Sequence, residues 1–335
     1  MPSLGKDRHG CPVSVPGSHI FQENALQRIL ERGEIESLDH TQIPRLRAPV
    51  RASVFADRAA RFRQLAADHP ASAYLSLMAH LVDGQHQALQ DCSMPTASEQ
   101  QVSLAQSHGM PPLQAIGWKR DAQWRQILAD LLAHMVSRGS LPEAARGVIS
   151  ALHEQLASDP DAIEAQADAI LAERDVDVDS ATAPFIMAAL QVYWTSLAID
   201  FEAEKLPVVS PFGVCPMCGS LPVSSVVRVG AQIDGCRYLC CSLCSTEWHL
   251  VRVTCSHCES TKSLAYQHIE EGSEAIKAES CDDCQSYRKI FYQEKDFHVD
   301  PVADDLASLT LDMLMGEAGY SRASGNPLLW QGSEN

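Results

Sequence analysis

Four Cys-x-x-Cys pairs between residues 215 and 284 constrain this chain more than any other feature: Cys215/Cys218, Cys241/Cys244, Cys255/Cys258 and Cys281/Cys284. In each half 22 residues separate the two pairs, and a shift of 40 residues lays the first half on the second without a gap. Ser220 then falls on Ser260 and Arg237 on Lys277. Ligand pairs repeated at a fixed offset predict two similar metal-binding units side by side. Four thiolates at tetrahedral corners suit zinc or a single iron, held at about 2.3 Å. The tight Cys-x-x-Cys turn aims two sulfurs at one ion and points backbone amides at them, which spreads the thiolate charge. The repeat predicts sequential pairing, with Cys215, Cys218, Cys241 and Cys244 in one site and Cys255, Cys258, Cys281 and Cys284 in the other. A cross-braced arrangement, joining the first pair to the third, is the alternative. Cys236 and Cys240 align with Ile276 and Ser280, lack counterparts, and read as free thiols or as neighbours of the first site.

Metal ligation is preferred to disulfides because of the compartment the sequence suggests. The first 17 residues have mixed charge, three prolines and no apolar core, unlike a signal peptide. The most apolar run, residues 185–199, is too short for a bilayer, which needs about 20 residues. A cytoplasmic location without stable membrane insertion follows, and thiols stay reduced there. The formal net charge is −17. Loading eight thiolates with two divalent ions takes it to about −21. Nucleic acid and anionic membranes are held by clustered Lys and Arg, so such acidity argues against both.

A length of 335 residues suggests about two domains. Residues 1–19, including Cys11, read as a loose tail. Residues 20–206 have the texture of an all-α domain of about seven helices, over 20–32, 52–68, 71–90, 118–138, 141–157, 161–173 and 182–201. Tyr74, Leu75, Met78, Leu81 and Val82 recur at helical spacing, and Asp159-Pro160 marks a break and a start. The stretch from Cys92 to Pro112 reads as a loop. The last helix is apolar on nearly every side, as expected in the middle of a bundle. Past Pro207, short β-type runs at 208–209, 223–229, 238–239, 248–253 and 287–292 suit metal-nucleated ribbons. The predicted fold class is therefore α+β. An N-terminal all-α domain precedes two tandem rubredoxin-like or zinc-ribbon-like units, at 207–250 and 251–300, and a C-terminal helix and tail at 301–335.

Catalytic signatures are missing from the sequence: there is no His-Glu-x-x-His, no Gly-x-Ser-x-Gly and no Gly-rich phosphate loop before a helix. A closed four-cysteine site has no open position for substrate. Thioredoxin-like exchange needs a Cys-x-x-Cys at a helix N-terminus in a βαβ context, which is absent. The chain is thus read as a non-enzyme. The plainest role for the cysteines is as folding staples. Trp248-His249, beside Glu247 and between the two sites, is the one aromatic–imidazole pair that stands out, and core packing is its ordinary explanation.

Several runs resemble the formate dehydrogenase accessory protein family FdhE. They are Cys215-Pro216-Met217-Cys218-Gly219-Ser220, Arg237-Tyr238-Leu239-Cys240-Cys241-Ser242-Leu243-Cys244, Thr246-Glu247-Trp248-His249, Cys281-Asp282-Asp283-Cys284 and the stretch from Asp300 to Ala307. Ile43-Pro44-Arg45-Leu46 fits more loosely. The resemblance implies a cytoplasmic maturation factor that binds the catalytic subunit of formate dehydrogenase. It also implies rubredoxin-like iron on the eight cysteines, so iron is favoured over zinc for the two expected ions. A homodimer is compatible with the helical domain. One departure concerns the residue after the second cysteine of each knuckle, which is glycine in rubredoxin. Only Gly219 obeys here; Ser245, Glu259 and Gln285 fill the other three places. That weakens the alternative reading, an iron electron-transfer protein, since such cycling relies on amide–sulfur bonds in the knuckle. The excess of acid at 270–317, 13 Asp and Glu against 4 Lys and Arg, suggests either a solvated face or a docking surface for a basic patch.

Overall fold

The computed structural model of the chain describes residues 4–7, 43–93, 97–137, 141–174, 177–202, 206, 212–230 and 234–330. The expected helix at 20–32, the strand at 208–209, and Cys11 lie outside them. Strands β1 (Leu4–Asp7) and β2 (Leu46–Arg47) precede seven helices: α1 (Val54–Ala66), α2 (Ser72–Asp91), α3 (Glu99–His108), α4 (Gln123–Ser137), α5 (Glu143–Ser158), α6 (Pro160–Leu171) and α7 (Ala183–Ile199). Strands β3 (Pro222–Arg228), β4 (Cys236–Cys241), β5 (Glu247–His249), β6 (Leu264–Ile269), β7 (Ile276–Cys281) and β8 (Ser286–Tyr292) follow. The chain then adds α8 (Ala303–Ala307), α9 (Leu309–Glu317) and β9 (Ser321–Arg322).

Apolar spacing builds the helical layer. Leu75, Met78, Leu81, Val82 and Leu89 of α2 are buried on one face, as are Trp124, Ile127, Leu128, Leu131 and Met135 of α4. Helix α7 is buried from Ala183 to Ala198 and is therefore the middle of the layer. Asp159 caps α6 by accepting from Ala162 N at 3.1 Å, with Pro160 in the first turn. The expected loop at 92–112 contains α3. Its start is a capping box between Ser98 and Gln101, and its end is Gly109 in the left-handed region at φ 60°. Those local signals outweighed the polarity of the stretch. Helix α4 starts at Gln123 rather than near Trp118, because residues 113–115 bond the loop at Met217 and Cys218 and Trp118 N turns back to Ala115 O.

The two repeats are three-stranded antiparallel meanders, β3-β4-β5 and β6-β7-β8. They are fused into one sheet: β8 pairs with β3 in parallel, giving the order β1-β6-β7-β8-β3-β4-β5-β2, with β9 beside β8. Strands β6 and β7 were not expected from sequence. Their residues, such as Gln267, Lys277 and Glu279, are too polar for the β-type run that marks a strand. Leu4–Asp7, within the expected loose tail, pairs with β6. The strand expected at 248–253 ends at His249, and Val253 turns to φ 65°. The C-terminal helix is two short ones, broken at Ser308.

Buried ion pairs join the layers. Arg58 and Arg61 of α1 reach Asp300 at 3.2 Å and Asp304 at 2.6 Å, and Arg61 also reaches Asp296 at 2.7 Å. Lys289 of β8 sits 2.6 Å from Asp312 and 3.7 Å from Asp305, and Arg322 bonds Asp305 at 2.6 Å. The acid-rich stretch at 270–317 is divided: Glu279, Asp296, Asp300, Asp304, Asp305 and Asp312 are paired with cations inside or at the edge of the fold, while Glu270, Glu271, Glu274, Asp282, Asp283, Glu294 and Glu317 are exposed.

Candidate metal centre

Both repeats turn at their first Cys-x-x-Cys in the same way. Cys215 N donates to Ser220 O at 2.9 Å and Gly219 N to Cys215 O at 2.8 Å; forty residues on, Cys255 N donates to Ser260 O at 2.8 Å and Glu259 N to Cys255 O at 3.0 Å. The residue after the second cysteine is left-handed in all four knuckles: Gly219 φ 78°, Ser245 φ 58°, Glu259 φ 63° and Gln285 φ 53°. The three non-glycine residues thus keep the knuckle at a cost of about 1–2 kcal/mol each. Amides still reach sulfur. Leu243 N and Cys244 N donate to Cys241 Sγ at 3.4 Å, while His257 N and Cys258 N donate to Cys255 Sγ at 3.4 and 3.5 Å. The missing glycines therefore do not remove this support.

The sulfurs gather in the sequential grouping, not the cross-braced one. Cys215, Cys218, Cys241 and Cys244 lie within 4.8 Å of one another, as do Cys255, Cys258, Cys281 and Cys284. Closest sulfur pairs are Cys215–Cys244 at 3.6 Å, Cys218–Cys241 at 3.4 Å, Cys255–Cys284 at 3.8 Å and Cys258–Cys281 at 3.7 Å. A tetrahedron with metal–sulfur bonds of about 2.3 Å has edges of about 3.8 Å. Each cluster is thus sized to hold one ion. These distances also far exceed an S–S bond of about 2.05 Å, and no disulfide occurs among the described residues.

A hydroxyl touches the last sulfur of each set, Thr246 Oγ1 to Cys244 Sγ at 3.2 Å and Ser286 Oγ to Cys284 Sγ at 3.0 Å. Thr246 and Ser286 are 40 residues apart, so the repeat itself contained the signal for this pair. Burial pushes the Cys215 and Cys241 thiols well above their ordinary range. Burial likewise pushes Cys281 up to about 12. Bonds from the neighbouring thiols pull Cys218 well below the ordinary range despite its burial, and the Ser286 hydroxyl pulls Cys284 down, so each cluster mixes protonated and readily ionised sulfurs until a cation displaces the remaining protons.

The helical layer covers the first cluster. Residues 113–115 lie along its knuckle, with Leu113 N donating to Met217 O at 3.0 Å and Ala115 N to Cys218 O at 2.8 Å. From α7, Trp194 Nε1 holds Leu113 O at 3.1 Å and Gln191 Nε2 holds Ser242 O at 2.7 Å. All four sulfur-bearing side chains there are buried, whereas in the second cluster Cys258 is exposed and Cys284 half-buried. A cleft of about 970 Å³ between α6, α9 and the first knuckle is walled partly by Cys218 and Gly219.

The remaining candidates are structural. Cys240 is buried on β4, its thiol pushed well up by burial and then by the nearby Glu247 carboxylate. Cys236 is half-buried at the start of β4. Trp248 Nε1 donates to Phe212 O at 2.9 Å, and His249 meets the Tyr238 ring edge-on at 5.8 Å. Glu247 bonds Arg228 at 3.1 Å. The Trp248-His249 pair thus packs and joins no metal cluster. No histidine belongs to any group of metal-ligating side chains found among the described residues.

Three family models match in succession: "FdhE, N-terminal" over residues 43–210, "FdhE, central domain" over 214–252 and "FdhE, C-terminal domain" over 253–329. The chain is 40% identical to Protein FdhE homolog of Serratia proteamaculans over 285 residues, covering 84% of this chain and 89% of that one. It is 43% identical to the homolog of Edwardsiella ictaluri over 283 residues, or 83% and 89% of the two chains. For Cronobacter sakazakii the identity is 40% over 312 residues, 91% of this chain and 98% of the relative. The crystal structure of the FdhE protein from Pseudomonas aeruginosa superposes with a TM-score of 0.74 at 37% identity, covering 87% of this chain and all of that one. With the helical layer, both four-cysteine clusters and the C-terminal helices all inside the matched regions, the chain belongs to the FdhE family.

Proposed function

We propose that this chain is a cytoplasmic accessory factor needed for active formate dehydrogenase, and that it acts by binding the immature catalytic subunit through its metal-bearing C-terminal module. Membership of the FdhE family is the observation that carries this reading. The module itself supports it. Eight cysteines form two compact clusters, each suited to one ion, and we assign iron to both in the cell, with zinc as the competing occupant. Four sulfurs per ion leave no open coordination position, which favours docking over turnover. A helical layer fused to the module through buried ion pairs is also more than an electron carrier needs.

The second reading is a rubredoxin-like electron-transfer protein. The exposed Cys258 and the intact amide–sulfur bonds of its knuckle favour it. Capture of the catalytic subunit on the tagged full chain, with parallel assay of formate dehydrogenase in cells lacking the chain, separates the two. The accessory reading predicts a stable complex and loss of enzyme activity despite normal synthesis of the subunit. Normal activity in such cells, with no complex, would overturn it.

A further inference from the structure

The two clusters are near copies in backbone and spacing, yet they sit in different surroundings. Sulfurs of the first belong to the main core, together with Leu113, Ala115 and Trp194. Its cover is bonded on both sides, by the 113–115 strap over the first knuckle and by Gln191 over Ser242 of the second. Gln191 is itself held by Gln85 Nε2 at 2.9 Å. The large cleft borders Cys218 and Gly219, but Cys218 remains fully buried. Removing the first ion therefore requires parting the helical layer from the sheet.

Among the described residues the second cluster has no such cover. Cys255 and Cys281 share a small satellite group with Leu264, apart from the main core. Cys258 is exposed between the exposed His257 and Glu259, and Cys284 is half-buried beside the exposed Asp282 and Asp283. The neighbour that crosses this knuckle, Phe212, donates its backbone N–H to Glu259 Oε1 at 3.0 Å and leaves half its surface in solvent.

We propose that the two sites have divided roles: the first is a fixed staple between the helical layer and the sheet, and the second is an exchangeable site, reached by external sulfur ligands through Cys258. An incoming thiol would bond to the ion as the Cys258 sulfur leaves. Its proton passes, directly or through water, to the departing Cys258 thiolate. The ion keeps four sulfur ligands and its oxidation state, so no electron donor or acceptor is needed. The driving asymmetry is steric: an attacking thiol meets open solvent at Cys258 and packed side chains at every sulfur of the first site. This rests on both clusters holding an ion, as proposed above.

The test uses the full chain loaded with zinc, its ions counted first and then chased with excess 4-(2-pyridylazo)resorcinol. Fewer than two ions per chain would refute the metal assignment itself. With two ions bound, the division predicts that one leaves at least tenfold faster than the other. N-ethylmaleimide with peptide mass mapping should label Cys258 and Cys284 in step with the fast phase, leaving Cys215, Cys218, Cys241 and Cys244 unlabelled. Cys258→Ser should abolish the fast equivalent and keep the slow one. Release of both ions at one rate, or earliest labelling at the first cluster, would overturn the division, and the unsubstituted protein alone decides that.

Discussion

Asp305 is the residue on which the clasp between sheet and C-terminal helices turns, and replacing it by asparagine tests the clasp. Its carboxylate is fully buried, accepts from Arg322 at 2.6 Å and Asn326 at 2.7 Å, and lies 3.7 Å from Lys289 Nζ. Burial pushes this carboxyl up, but the Arg322 and Lys289 charges hold it below the ordinary carboxylate range. Asparagine keeps the shape and removes the charge, so buried Lys289 and partly exposed Arg322 are left to share Asp312. Removing one partner of a buried pair costs about 3–5 kcal/mol. With about 1.4 °C lost per kcal/mol in a chain of 335 residues, Asp305→Asn should melt about 4–7 °C lower. Differential scanning fluorimetry at neutral pH reads this directly, with Asp177→Asn as a control from an exposed pair. A melt within about 1 °C of the parent would refute the clasp. The pH sign follows: a depressed carboxyl stabilises the fold above its unfolded value of about 3.9 and loses that contribution as pH falls below it. Asp304, pushed up by its own burial despite Arg61, opposes this trend, so Asp304→Asn should widen the stability loss on acidification, where Asp305→Asn narrows it.

Other expectations concern the clusters. Ser245→Gly should raise stability by up to about 1 kcal/mol, since glycine adopts the left-handed turn freely. Glu259→Gly should gain less in the same denaturation assay, because it also loses the bond from Phe212 N. Zinc release should begin on acidification, because thiolates must be deprotonated to bind the ion and take protons back as pH falls; a pH titration followed by a zinc-responsive dye should show retention at high pH and loss toward low pH. Gln191→Ala removes the bond to Ser242 O and should speed loss of the slow zinc equivalent while leaving the fast one unchanged.

The clusters were legible because ligand spacing is a local, covalent property. The Cys-x-x-Cys pairs fix which residues can be ligands and the gapless repeat favours sequential over cross-braced grouping, and the left-handed turns at Ser245, Glu259 and Gln285 follow from that demand even without glycine. Apolar periodicity likewise made α2, α4 and α7 readable. The parallel join of β8 to β3 was not, because pairing between distant strands leaves no mark at either strand's own positions. Strands β6 and β7 escaped notice since polar residues such as Lys277 and Glu279 interrupt the apolar pattern, Glu279 being paired with Arg237 of β4 at 2.8 Å. The strap at 113–115 was hidden for a similar reason: its partners, Met217 and Cys218, are about a hundred residues away. The acidity of 270–317 was legible only in part: Glu270, Glu271, Asp282 and Asp283 are exposed as a solvated face requires, but Asp300, Asp304 and Asp305 are taken up by Arg58, Arg61 and Arg322, which lie outside that stretch.

The central claim is that eight cysteines form two four-sulfur metal sites around which the docking module is built. X-ray absorption at the metal edge, with elemental analysis, on full-length protein purified without oxygen tests it most directly. The account predicts two ions per chain, each with four sulfur neighbours at about 2.3 Å, and a red oxidised form that bleaches on reduction if the ions are iron. A single ion per chain, or oxygen and nitrogen in the coordination shell, would contradict it.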